Sequence, residues 1–248
     1  MEKYSRQIIL DKFGEEGQKR LFEKNVLVVG IGGTGGLISQ LLTRGGVGGL
    51  YISDVDMVDI SNIHRQLLFT ENDVGKKKLE AGYRYLKSLN SDVKIVAIDE
   101  KINAKNIEFY VKKVDLVMDG TDNFHSRFLI NDACVKNEKP WIYSGVLSTY
   151  GTVMPIIPGK TACLRCLMKY PPKSEFSTSD LGILNSVPSA VASIAVSLAY
   201  KILLGDNVES AIYNYDGWNL TLEKIAIERQ KDCPACSLKI YDFLNEKI

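Results

Sequence analysis

The 248-residue chain has almost no excess charge of either sign: 31 Lys and Arg stand against 30 Asp and Glu, a formal net charge of +1. That balance excludes a polyelectrolyte role and argues against nucleic acid as the main partner. Met1 to Arg6 is not followed by the apolar run of a secretory signal. The most apolar stretch, Val187 to Leu204, carries Pro188 and Lys201 among many Ala and Ser. It reads as a buried helix, too short and too polar to span a bilayer. No repeat, low-complexity segment or clean linker divides the sequence. A cytoplasmic protein with no membrane partner is therefore expected. Hydrophobic residues make up 45%, enough to bury a sizeable core in one large α/β unit with an appended lobe.

Cysteine is sparse, but its spacing is informative. Four of the five fall in two Cys-x-x-Cys units, Cys163-Leu-Arg-Cys166 and Cys233-Pro-Ala-Cys236. Two such units with no His near them predict one closed, four-thiolate Zn²⁺ site of structural kind. A redox-active pair is the alternative, but redox motifs rarely come as two units flanking one lobe. Cys134 is left over and fits a small core residue in a helix.

Strand-like and helix-like segments alternate through the first part of the chain. Strands are expected at Asn25 to Val29, Leu50 to Asp54, Val93 to Ile98, Val114 to Asp119 and Trp141 to Ser144. Helices are expected at Thr34 to Arg44, Gly75 to Leu89, Ala104 to Lys113 and Asn123 to Asn137, after an extended arm and short helix over Tyr4 to Phe22. This alternation predicts parallel βαβ units. After Gly145 the pattern changes. Tyr150 to Ile157, Ala211 to Asp216 and Trp218 to Ile227 read as antiparallel strands around the Ala-rich helix. The expected fold is α/β and Rossmann-like: a mostly parallel sheet continuing into antiparallel strands, with the four-cysteine zinc site in the C-terminal half. A nucleotide-binding half over 1–159 and a zinc-bearing half over 160–248 would share it.

Between the first strand and first long helix, Gly30, Gly32 and Gly35 match G-x-G-x-x-G, and Asp54 ends the next strand. Such a turn lets phosphate approach backbone N–H groups at a helix N-terminus, and the acid is placed to take ribose hydroxyls. The turn alone leaves NAD, FAD and ATP open. The following residues separate them. Ser61-Asn62-Ile-His64-Arg65-Gln66 clusters a guanidinium and an amide just after the ribose acid, and Lys78 follows Gly75. A dehydrogenase has no use for these cations. An enzyme that breaks a triphosphate does, because they neutralise charge on phosphate oxygens. Asp119-Gly-Thr121-Asp122-Asn123 lies at a strand's carboxyl end, where open α/β sheets bind ligands. A carboxylate there can hold Mg²⁺ beside phosphates. His64 and His125 are expected at surface or supporting positions.

With these motifs in hand, the chain resembles the MoeB/ThiF/HesA adenylyltransferases, relatives of the ubiquitin-activating enzymes. The resemblance runs through Tyr4-Ser-Arg6-Gln7, the glycine turn, Asp54-x-Asp56, Ser61-Asn62-x-x-Arg65-Gln66, Val74-Gly75-x-x-Lys78, Thr121-Asp122-Asn123 and both Cys pairs. It implies MgATP-dependent adenylylation of the C-terminal glycine carboxylate of a small β-grasp sulfur-carrier protein ending in Gly-Gly. That step serves molybdopterin or thiamin synthesis. By motif match, Gly33 and Asp54 would contact the nucleotide. Asn62, Arg65 and Lys78 would hold the triphosphate, and Asp122 would bind Mg²⁺ beside Asn123. Asp56, Ser61 and Gln66 belong to the same motifs and are expected to line the site. Arg6 would reach the active site of the other subunit in a homodimer.

One departure from the family pattern bears on mechanism. Relatives that form a thioester or acyl disulfide carry a Cys before the Ala-rich helix. Here Ser174 to Gly182 has none, and Thr178 stands near that position. Adenylation alone is expected, with sulfur delivered by a separate donor protein and no fused sulfurtransferase domain. The competing readings are a nicotinamide oxidoreductase, a non-catalytic zinc scaffold, and an adenylating relative acting on a protein modifier, a peptide or a tRNA threonylcarbamoyl group.

Overall fold

The computed structural model describes residues 1–174 and 176–245. In chain order the elements are α1 (Ser5–Ile8), α2 (Gly14–Phe22), β1 (Asn25–Val29), α3 (Gly33–Gly45), β2 (Gly49–Ser53), α4 (Lys78–Leu89), β3 (Lys94–Ile98), α5 (Ile107–Val111) and β4 (Leu116–Asp119). They continue with α6 (Phe124–Lys136), β5 (Trp141–Leu147), β6 (Tyr150–Ile156), α7 (Leu164–Leu167), α8 (Thr178–Leu181), α9 (Ser186–Leu204), β7 (Ala211–Asp216) and β8 (Thr221–Ala226). All eight strands form one sheet in the order β3-β2-β1-β4-β5-β6-β7-β8. The first five are parallel neighbours and the last three join antiparallel. This is the expected mixed α/β sheet.

Because side chains alternate across a strand, β1 feeds both layers. Val26 and Val28 enter a core with Ile38, Leu42 and the apolar face of α9. Leu27 and Val29 enter the opposite core with Phe128, Trp141 and the thiol loop. Helices α3, α4 and α9 thus cover one face, and α5, α6 and the cysteine lobe cover the other. The chain reverses order between β3 and β4, since β1 has β2 on one side and β4 on the other. That switch point opens a crevice at the strands' carboxyl ends.

Four segments differ from the sequence expectation. The arm before α2 is not extended: a 3₁₀ turn over Glu2–Tyr4 runs into α1. Tyr4 is buried there, accepting from Asn90 Nδ2 at 2.7 Å and meeting Phe22 edge-on. Helix α4 starts at Lys78, because residues 76–78 first pair with 56–58, with the Lys78 N–H donating to the Asp56 carbonyl at 2.9 Å. Helix α5 is short. The Asn103 side chain captures the Lys105 N–H at 2.8 Å and Asn106 captures the Asn103 N–H at 2.9 Å, a local competitor to helix. Helix α9 has 19 residues and is long and apolar enough to cross a membrane by length and composition, contrary to the expectation that it is too short and too polar. Half of its most apolar window is buried within the protein, where Val191, Ala195 and Ala199 join the core.

Candidate functional site

The glycine turn is held by its neighbours on both sides. The Gly30 N–H donates to the Ser53 carbonyl at 2.8 Å, and the Gly120 N–H donates to the Val29 carbonyl at 2.8 Å. Gly30 sits at φ +81°, and a Cβ on Gly35 would lie 1.9 Å from the Gly30 carbonyl oxygen. A Cβ on Gly120 would lie 2.1 Å from that same oxygen. Three backbones therefore meet at one point, which only glycine permits. Gly32 caps α3 without a side chain of its own. The α3 N-terminus faces the crevice with N–H groups that no upstream side chain caps, the arrangement that binds anions.

Asp54 fixes the next loop to this turn. One carboxylate oxygen accepts from the Ile31 N–H at 2.9 Å and the other from the Asp56 N–H at 2.9 Å. Burial pushes its carboxyl up, against those two bonds. The Asp56 carboxylate takes the Lys78 ammonium at 3.0 Å. The Lys78 side chain is 7% exposed and that of Asp56 is 63% exposed, so the lysine is enclosed and its ammonium is held by a solvated carboxylate. Arg65 is half-buried, and its Nη1 donates to the Ser61 carbonyl at 2.7 Å and lies 2.9 Å from His64 Nε2. Its carbonyl lies 3.6 Å from where a Cβ on Gly33 would be. The Gln66 amide reaches within 3.5 Å of the equivalent point on Gly32, and Gln66 Oε1 is buried without a hydrogen bond among the described residues. A buried carbonyl oxygen at a glycine turn is a built-in acceptor for a ligand's N–H or O–H.

The other wall is the β4–α6 turn. Asp119 is fully buried, accepting from the Thr121 N–H and hydroxyl at 2.9 and 2.7 Å and facing Arg127 Nε at 3.4 Å. Burial pushes its carboxyl up and Arg127 opposes the shift. Arg127 also donates to the Thr121 carbonyl at 3.0 Å and stacks on the Phe124 and Tyr143 rings. Asp122 is exposed at the rim, and Asn123 caps α6 by accepting the Ser126 N–H at 2.9 Å. The Asn123 amide nitrogen bonds Asp122 Oδ1 at 3.2 Å, orienting that carboxylate.

On the opposite face the two Cys-x-x-Cys units converge. The sulfurs of Cys163 and Cys233 are 3.5 Å apart, those of Cys166 and Cys236 3.4 Å, and those of Cys163 and Cys166 3.9 Å. All four lie within 4.8 Å of one another. Tetrahedral Zn²⁺ with bonds of about 2.3 Å needs sulfurs about 3.8 Å apart, so the cage fits that ion. Cys134 is fully buried in α6, where burial pushes its thiol up, so it is an inert core residue.

A model of the ThiF family matches residues 4–235. The chain belongs to the ThiF family. Among its relatives, the sulfur carrier protein ThiS adenylyltransferase of Bacillus subtilis (strain 168) is 36% identical over 247 residues, covering 98% of this chain and 74% of the relative. The sulfur carrier protein adenylyltransferase of Thermus thermophilus is 35% identical over 245 residues, covering 95% of this chain and 90% of the relative. The crystal structure of E. coli MccB has a TM-score of 0.82 at 25% identity, covering 95% of this chain and 72% of that one.

In this ThiF-family chain, contacts link Gly30, Gly32, Gly33, Gly35, Asp54, Asp56, Arg65, Gln66 and Lys78 around the glycine turn, and Asp122 and Asn123 lie in the turn that follows Gly120. Ser61 and Asn62 are turned to a local task. The Ser61 N–H and hydroxyl both donate to Asp59, and Asn62 Oδ1 accepts the Asp59 N–H at 3.3 Å, which together cap a 3₁₀ turn. Arg6 is exposed on α1 and makes no ion pair among the described residues. The sequence does not single out Gly120 or Arg127, and it offers Asp119 only as one carboxylate of the Asp119–Asn123 motif, not as the buried partner of Arg127. Gly120 sat in a quoted motif, but its closeness to Gly30 requires β1–β4 pairing. Arg127 stands four residues after the α6 cap, a spacing that on sequence alone reads as one more helix charge.

Proposed function

We propose that the protein adenylylates the C-terminal glycine carboxylate of a small ubiquitin-like sulfur carrier, using ATP and releasing pyrophosphate. The observation that carries the reading is Lys78, an enclosed lysine held by Asp56 and tied through Asp54 to the Ile31 N–H of the glycine turn. The two adenylyltransferase relatives act on sulfur carriers by name, which supports a carrier as acceptor. The nucleotide would lie across the glycine turn, with ribose at Asp54 and phosphates against the α3 N-terminus, Arg65 and Lys78. Gln66 would complete the floor. Asp122, oriented by Asn123 beside it, would hold Mg²⁺, which when bound supplies divalent neutralisation of phosphate charge.

A carboxylate attacks a polyanion poorly because like charges repel. The chain's own answer is cationic. Lys78 and Arg65 reduce that repulsion and stabilise the charge that moves onto the leaving pyrophosphate. Arg6 of a second copy would add to it in a homodimer. The attacking group is already ionised at neutral pH, so no general base is needed. The half over 160–248 would carry the acceptor's docking surface, and a separate protein would donate sulfur. A cytoplasmic location goes with this chemistry, since its nucleotide substrate is made there.

Exchange of labelled pyrophosphate into ATP tests the reading. Exchange should appear with carriers ending in Gly-Gly and vanish when the terminal glycine is removed. Exchange supported equally by unrelated peptides would transfer the reading to another acceptor class.

A further inference from the structure

Helix α6 has a demand on it at each end. Its cap, Asn123, orients the rim carboxylate Asp122. Farther along, it is bolted to the four-thiol lobe. Asn131 Oδ1 accepts the Leu164 N–H at 3.0 Å, one residue after Cys163. Asp132 takes Arg165, which lies between the first two thiols, at 3.1 Å, and both side chains are fully buried.

Arg165 also gathers the tail that follows Cys236. Its Nη1 donates to the Ile240 carbonyl at 3.2 Å and its Nη2 bonds Asp242 at 3.1 Å. The tail then returns to the start of α6: the Phe243 ring lies 5.0 Å from Phe128 and 5.8 Å from His125. Asp242 and Phe243 share a cavity of about 520 Å³ with Asn123 and Ser126. The thiol lobe therefore touches α6 at its middle and, through the tail, at its first turn.

We propose that these contacts couple the two sites: metal in the thiol cage favours the α6 cap geometry that receives nucleotide, and nucleotide in turn tightens metal. Arg165 and Phe243 act as positioning residues for the α6 N-terminus. The physical ground is that a buried guanidinium persists only while its whole fork is satisfied. An empty cage frees the segment carrying Cys163, Leu164 and Cys166, which holds Arg165 in place. Loss of that fork strips Asp132 of its charge partner, leaving it only the Asn131 amide at 3.3 Å and the Phe243 N–H at 3.3 Å, and so loosens the tail that seats Phe243 on the first turn. Linkage requires the effect to be reciprocal. The coupling rests on the nucleotide reading given above.

The test uses the metal-loaded protein. Zinc affinity is measured by equilibrium competition with a chromogenic chelator, with and without saturating Mg-ATP, while nucleotide binding is followed separately. Zinc should bind at least about 5-fold tighter with nucleotide present. The ratio should fall to one in Phe243→Leu, and in a double variant, Arg165→Met with Asp132→Leu, that replaces the ion pair by apolar side chains. Nucleotide that binds without changing zinc affinity overturns the coupling alone. Failure of the loaded protein to bind nucleotide overturns the underlying reading as well. Undiminished coupling in both variants overturns the path through Arg165 and Phe243.

Discussion

Lys78 is where charge, burial and position meet. Its enclosed stem makes the ammonium a fixed feature of the crevice, and its partner Asp56 is solvated enough to survive alone. Lys78→Met should therefore lower the carrier-dependent exchange rate by about 10²–10³-fold, the size expected for a lost charge-stabilising donor. Unfolding should change little. A rate within a few-fold of the parent would remove Lys78 from the chemistry. Gly120→Ala should behave oppositely. Its Cβ would fall 2.1 Å from the Gly30 carbonyl oxygen, so the glycine turn must shift. Both thermal stability and nucleotide affinity should drop, as read by a melt with and without ATP. Cys134→Ala should leave exchange unchanged, because that thiol is sealed in α6. Lys78 was legible in the sequence through its place after Gly75. Arg127 was not, because its meaning lies in the distant Asp119, Phe124 and Tyr143 around it.

Among elements, the strands were the most legible. Apolar runs with β-branched residues, punctuated by Gly and Asp, have few alternatives. The short pieces were not, because local side-chain bonds decide them: the Asn103 and Asn106 captures shorten α5, and Tyr4 folds the arm back. That arm gives a pH prediction. The Lys3 ammonium bonds Asp92 at 2.9 Å and holds its carboxyl below the ordinary range. A lowered carboxyl contributes fully above the ordinary value of about 4 and loses its contribution as pH falls through the lowered one. Hydrogen-exchange protection over residues 2–8, taken relative to the intrinsic rate at each pH, should fall only in that acid window. An arm that loosens while carboxylates remain ionised contradicts the assignment. The thiol lobe gives another. Cys163→Ser should unseat the tail and lower the melting temperature, while some ATP binding remains. Unchanged stability together with retained zinc would refute the cage.

At the scale of the whole molecule, one continuous sheet frames the glycine turn and the docking surface proposed for the acceptor. The parallel part supplies the switch point beside the glycine turn, and the antiparallel part extends the frame on which we propose the acceptor docks. The motifs announced the first because phosphate recognition is local, a turn plus a few side chains. The second has no such code, since a docking surface is spread over residues distant in sequence. The most direct measurement of the account is single-turnover labelling of a carrier ending in Gly-Gly with ATP labelled at either the α- or the γ-phosphate. The α label should move to the carrier's terminal carboxylate as an acyl-adenylate. Transfer of the γ label instead would show an acyl phosphate, and the arrangement of Lys78, Arg65 and the glycine turn would then have been read for the wrong reaction.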